Sequence, residues 1–287
     1  MLHNSATLAF VPSASLAGDE DWPHVAIVTK AEELSRIISK PAPALQWIQV
    51  NDLISETGVW ATASQGNDQL PFDVVVTAPA KEFSAIYRLV DVRAVRNVRI
   101  TMPATSGFSK AVRLAASLGL PVRILPGQPD EDILLELEQA ADFYLHHAMV
   151  EAPMEPFHTI LAMMHEHSST KTYALGALWV ILEEDPALYV RLNTEGVPLM
   201  PRTGRPVEQN ALSRIADFVS DHMNSLLAEG AECATCEWQE PCGGYFKWPD
   251  RNYSCRGVRH LFAGLHAASR EMAADLADSE MENEVRK

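Results

Sequence analysis

No cysteine occurs in the first 232 residues of this 287-residue chain. That absence excludes a disulfide or a thiolate-bound metal centre from most of its length. Cations are also scarce, with 23 Lys and Arg against 38 Asp and Glu and a formal net charge of −15. A surface of that sign repels phosphate backbones and argues against nucleic acid as a main partner. Long apolar runs are missing too: no stretch approaches the ~18 to 20 uninterrupted apolar residues that span a bilayer. The N-terminus lacks a cationic n-region, and its apolar run is only Leu8 to Val11, so the pattern of a secretory signal is not met. The expectation is a cytoplasmic protein that does not engage a membrane, whose thiols are read as metal ligands before disulfides.

What is present is ordinary for a globular chain: 47% hydrophobic and 21% charged residues, enough to build a full core. From about residue 24, short β-branched runs alternate with helical stretches. "HVAIVTK", "ALQWIQVN", "FDVVVTAP", "NVRITMP" and "PVRILPG" read as strands, with Asp73 the one charge in a run otherwise fit for burial. Strands separated by helices of about 10 to 20 residues predict parallel βαβ units, three or four in number. The fold class expected is therefore α/β, an open parallel sheet or partial (β/α) barrel.

"TGVWATASQGNDQLP" (57–71) reads as the longest loop. Between Val207 and Gly230, Leu212, Ile215, Val219, Met223 and Leu226 form a helical stripe with Gly230 as its stop. After Cys255 a last helix follows on Val258, Leu261, Phe262, Leu265 and Ala268, ending in a polar tail that frays. Two domains are expected, 1–200 for the α/β part and 201–287 for a cysteine-rich part.

All four cysteines fall within "CATCEWQEPCGGYFKWPDRNYSC", spaced C-x2-C-x5-C-x12-C at Cys233, Cys236, Cys242 and Cys255. Two thiolates two residues apart grip one centre from a tight turn, and the glycines after Cys242 let the backbone turn its N–H groups onto sulfur. Zinc ribbons usually present two matched C-x2-C knuckles, which this spacing lacks. A [4Fe-4S] cluster is larger and is held by four cysteines without that requirement. Both metals remain open, with the cluster ahead.

Other motifs have plainer readings. His146, His147, His158, His165 and His167 offer no H-E-x-x-H, and positions two apart on a helix do not share a face. Trp238, Tyr245, Phe246, Trp248 and Tyr253 serve as a substitute core around the cysteines, with peptide binding the alternative. "PGQPDED" lacks the spaced glycines of a phosphate loop, and Thr105, Ser106 and Gly107 read as a helix cap. Glu183, Glu184 and Asp185 read as a solvated helix end.

The segment "CATCEWQEPCGGYF" resembles the core of the SPASM domain, the C-terminal extension of radical S-adenosylmethionine (SAM) maturases. There C-x2-C-x5-C is followed by glycines and x3-C. The resemblance implies that Cys233, Cys236 and Cys242, with Cys255 downstream, hold the second auxiliary [4Fe-4S] cluster. The x3-C position, which serves the first auxiliary cluster in that family, is Phe246 here. The C-x3-C-x2-C motif of the SAM-cleaving cluster has no counterpart.

The resemblance firmly covers about residues 230 to 270. It implies a non-SAM-cleaving iron-sulfur accessory protein acting with a radical SAM or other peptide-modifying maturase, by electron transfer or by binding a protein or precursor-peptide partner. It implies no autonomous radical SAM enzyme. A structural zinc adaptor that binds a protein or peptide is the alternative. An enzyme with its active site at the strand ends and a purely structural metal is a third reading, and no residues suggest themselves for it.

Overall fold

The computed structural model describes residues 8–13, 24–39, 41, 43–52, 57–63, 70–166, 176–183, 189–207 and 217–285. The chain is an α/β protein. Nine strands are found among the described residues: β1 (Leu8–Pro12), β2 (His24–Thr29), β3 (Leu45–Val50), β4 (Phe72–Val75), β5 (Val98–Pro103), β6 (Val122–Leu125), β7 (Met154–Glu155), β8 (Tyr189–Leu192) and β9 (Pro198–Leu199). They form one sheet in the order β7-β6-β5-β4-β3-β2-β1-β8-β9. Neighbours are parallel throughout except β8 and β9, which pair antiparallel.

The sheet is longer than the three or four units expected from sequence. The apolar run Leu8 to Val11, too short for a signal, is strand β1, whose flanks pair with β2 and β8. The stretch expected to be a long loop contains the helix Thr57–Ala63, because Trp60 and Ala63 are both buried in the core.

Alternation along the strands sorts the two faces. Ile48 and Val50, Phe72 and Val74, Val98, Ile100 and Met102, and Val122 and Ile124 enter the main core. They meet Leu34, Ile86, Leu89, Val112, Leu137, Phe157 and Ile160 from the connecting segments. The positions between them are polar and share the opposite face. Asp73 stands in register with Gln49 and Arg99, and Thr101 with Arg123.

Asp73 and Arg123 are each only 3% exposed. Arg123 Nη2 donates to Asp73 at 2.8 Å and Nε to Thr101 at 3.0 Å, while Arg99 Nη2 reaches Asp73 at 3.0 Å. Thr101 Oγ1 and Gln49 Nε2 complete the shell at 2.6 and 3.2 Å, and Arg191 Nη1 donates to Gln49 at 2.9 Å. Burial pushes the Asp73 carboxyl up, but Arg123 and Arg99 outweigh it and hold it well below the usual carboxylate range.

The helix Phe218–Ala228 buries Phe218, His222, Met223 and Leu226, and Gly230, at φ 68°, ends it. Leu212 and Ile215 lie outside the described residues. The last helix, Arg256–Val285, buries Val258, Phe262 and Leu265 as its spacing predicts. It does not fray early; its polar end is rich in Ala, Met and Glu, which favour helix, and contains no Gly or Pro. Among the described residues no helix is long and apolar enough to cross a membrane.

Candidate functional site: a cavity lined by four thiols

Gly230 delivers the chain into the 3-10 turn Glu232–Thr235, which presents Cys233, with Cys236 next. A single helical turn, Gln239–Cys242, then stops on two glycines, Gly243 at φ 54° and Gly244 at φ 72°. Both lie in the left-handed region where a Cβ is unfavourable. Space forbids one as well: a Cβ on Gly243 would stand 2.5 Å from the Gly176 Cα, and one on Gly244 would stand 2.9 Å from the His222 ring. The turn places the backbone N–H groups of Phe246 and Tyr245 on the Cys242 sulfur. These amides, not those of the glycines, make the contact; the glycines provide the bend. Cys255 directly precedes the terminal helix Arg256–Val285.

All four thiols line one small cavity of about 30 Å³, walled on its apolar side by Trp238, Phe246, Val258 and Phe262. All four are free. Yet among the described residues no three His, Cys, Asp or Glu side chains converge closely enough to hold a single metal ion.

Burial pushes the Cys242 and Cys255 thiols each up to about 12, and the neighbouring sulfurs push in the same direction. Cys233 is also raised, by burial first. The charged wall is tightly built. Lys247, 5% exposed, lies 2.6 Å from Glu232 Oε1 and also donates to the Tyr253 carbonyl. Arg259 Nη2 reaches Glu232 Oε2 at 3.1 Å, and the Cys255 amide donates to Glu232 Oε1 at 3.0 Å. Burial raises the Glu232 carboxyl, but these partners, Lys247 foremost, hold it below its usual range. One donor remains over: Trp238 is 5% exposed, and its buried indole Nε1 has no hydrogen-bond partner.

The segment is fastened to the sheet. Gln128, just past β6, donates Nε2 to the Phe246 and Asp250 carbonyls at 2.9 and 2.6 Å and accepts from the Asp250 amide at 3.3 Å. Tyr253 Oη donates to the Pro129 carbonyl at 2.7 Å. Trp179 Nε1 donates to the Gly243 carbonyl at 2.9 Å and Trp248 Nε1 to that of Pro201 at 3.1 Å. The aromatics of the cysteine segment do pack as a core. Trp238 stacks on Phe262 with centroids 5.5 Å apart, and Tyr245 sits edge-on to Trp179 at 5.0 Å.

The remaining motifs resolve simply. Asp130 caps its own helix, Glu131–His146, by accepting from the Ile133 amide. The helix Ser109–Ser117 is not capped by Thr105 or Ser106; the amides of Gly107 and Ser109 donate to Glu136, a partner 27 to 29 residues away. His146 lies beside Asp142, and His158 Nδ1 bonds the Tyr144 hydroxyl. His167, Glu184 and Asp185 lie outside the described residues.

No family model matches the chain, and no curated protein matches it in sequence. Two solved structures share its fold. Native anSMEcpe with bound AdoMet and Cp18Cys peptide aligns over 94% of this chain and 99% of its own, at 10% identity and a TM-score of 0.53. His-tagged anSMEcpe with bound AdoMet aligns over 94% and 96%, with the same identity and TM-score. That protein is a radical SAM/SPASM anaerobic sulfatase-maturating enzyme, so the architecture of this chain is one that a radical SAM maturase also uses.

Proposed function

We propose that Cys233, Cys236, Cys242 and Cys255 hold one [4Fe-4S] cluster, and that the chain acts as a non-SAM-cleaving accessory protein to a radical SAM or other peptide-modifying maturase. The observation that carries this reading is the lining of one cavity by all four thiols. Four thiols, no histidine ligand, and a lone carboxylate already tied to Lys247 and Arg259 make a donor set suited to iron-sulfur chemistry. The fold shared with a maturase crystallised with a peptide supports the choice of partner.

Bound there, such a cluster supplies one-electron transfer. The chain's own residues do the rest. The Tyr245 and Phe246 amides donate to the Cys242 sulfur, Lys247 and Arg259 offset negative charge, and Trp238, Phe246 and Phe262 keep water out. Raised thiol pKa values mean that ligation releases protons, because only thiolates bind metal. With no cysteine before Cys233, these 287 residues contain no C-x3-C-x2-C motif. The radical step belongs to the partner.

Protein isolated without oxygen is expected to be brown, with broad absorption near ~400 nm and about four iron and four sulfide per chain. Colourless protein with one zinc overturns the cluster and leaves the zinc adaptor. Co-purification of a radical SAM enzyme tests the accessory role, which repeated pull-downs without a partner would remove.

A further inference from the structure

We infer that the indole N–H of Trp238 is a hydrogen-bond donor to a sulfur of the group that fills the thiol cavity, and so sets that group's reduction potential. The inference rests on the cluster reading above and extends it to a residue outside the ligand set.

Buried polar atoms are almost always satisfied, and an unpartnered one calls for an explanation. Among the tryptophans of the cysteine segment and its surroundings the contrast is sharp. Trp179 donates to the Gly243 carbonyl and Trp248 to the Pro201 carbonyl. Trp238, which lines the thiol cavity, donates to nothing among the described residues. Its ring is not free to turn toward a carbonyl elsewhere. Phe262 stacks on it at 5.5 Å with the planes 23° apart, and His266 meets it edge-on at 5.6 Å. Besides the four thiols, the cavity wall holds Phe246, Val258 and Phe262 and the carboxylate of Glu232, which Lys247 and Arg259 already occupy.

An N–H held there is desolvated without compensation unless an acceptor arrives with a ligand. A cluster brings such acceptors, since its sulfide and thiolate sulfurs carry negative charge that grows on reduction. An N–H that donates to them stabilises the reduced form more than the oxidised form, which raises the potential. Proton and electron counts are unchanged by this contact; only the balance between the two redox states moves.

The test uses the full chain reconstituted with iron and sulfide without oxygen, as wild type and as Trp238→Phe. Phenylalanine keeps a ring against Phe262 and removes the donor. The expected result is equal iron and sulfide content with a midpoint potential shifted to a more negative value. An unchanged potential at full loading overturns the inference and leaves the cluster reading intact. A wild type that takes up no iron overturns both.

A second measurement needs no variant. With 15N-labelled tryptophan, the Trp238 indole N–H signal should undergo a hyperfine shift on loading, against little change at the distant Trp60. A Trp238 signal that stays in place on loaded protein also overturns the inference.

Discussion

Two parts of this molecule bury polar groups, and they do it in opposite ways. On the sheet face opposite the main core, Asp73 is enclosed by Gln49 from β3, Arg99 and Thr101 from β5 and Arg123 from β6. In the cysteine segment, four thiols and the Trp238 ring line one cavity, and the buried indole N–H has no partner among the described residues. The first arrangement is complete within the polypeptide and acts as structure. The second leaves a buried donor and four thiols without internal closure, and that difference is why the proposed cluster is assigned there.

The largest test of this contrast is Cys242→Ala. It removes the thiol that the Tyr245 and Phe246 amides contact, and under the proposed cluster iron content should fall from about four per chain to near zero. Thermal melting of the metal-free chains should differ little between variant and wild type. A variant that retains full iron would break the contrast, because the quartet would then not be a unit.

Next comes Asp73→Ala, which leaves the buried Arg123 unneutralised and should cost about 3–5 kcal/mol in urea unfolding. Folded variant should still bind iron as wild type does. The pH dependence follows from the lowered Asp73 pKa. Its contribution is fully present above the unfolded-state value of about 3.9 and is lost as pH falls through it and below. Wild type should therefore lose stability more steeply than Asp73→Asn between about pH 4 and pH 2. Parallel curves would show that the network does not carry the carboxylate's charge.

The smallest effect is expected from Gly243→Ala. A left-handed residue with a Cβ against the Gly176 backbone should cost about 1–3 kcal/mol. Iron binding should weaken as well, since the bend presents Cys242. Loss of stability with unchanged iron binding would separate the turn from the ligand it carries.

Much of the sheet was legible in the sequence because β2 through β6 are short β-branched runs punctuated by helices. Strand β1 was not, since five residues carry little periodic signal and their role is set by partners distant in the chain. The Asp73 network was half visible. One charge in an apolar strand can be seen, but its answers at Arg99 and Arg123 become apparent only once the strands are laid in register. The grouping of the cysteines and the need for the glycines could be read directly from spacing. Trp238, Lys247 and Glu232 could not, because buried charge pairing and an idle donor are products of packing. Gln128 escaped notice for the same reason: its partners lie 118 to 122 residues further on.

That glutamine has a consequence for the order in which the protein is made. One amide side chain reads two carbonyls and one amide of the segment that follows Cys242, so the shape of the thiol cavity is borrowed from strand β6 and the loop behind it. The scaffold is translated first, and the cysteines emerge last onto a template that already exists. Under the proposed cluster, inorganic iron and sulfide would enter a receptacle that the polypeptide has already shaped, and chains made without iron would be folded and empty.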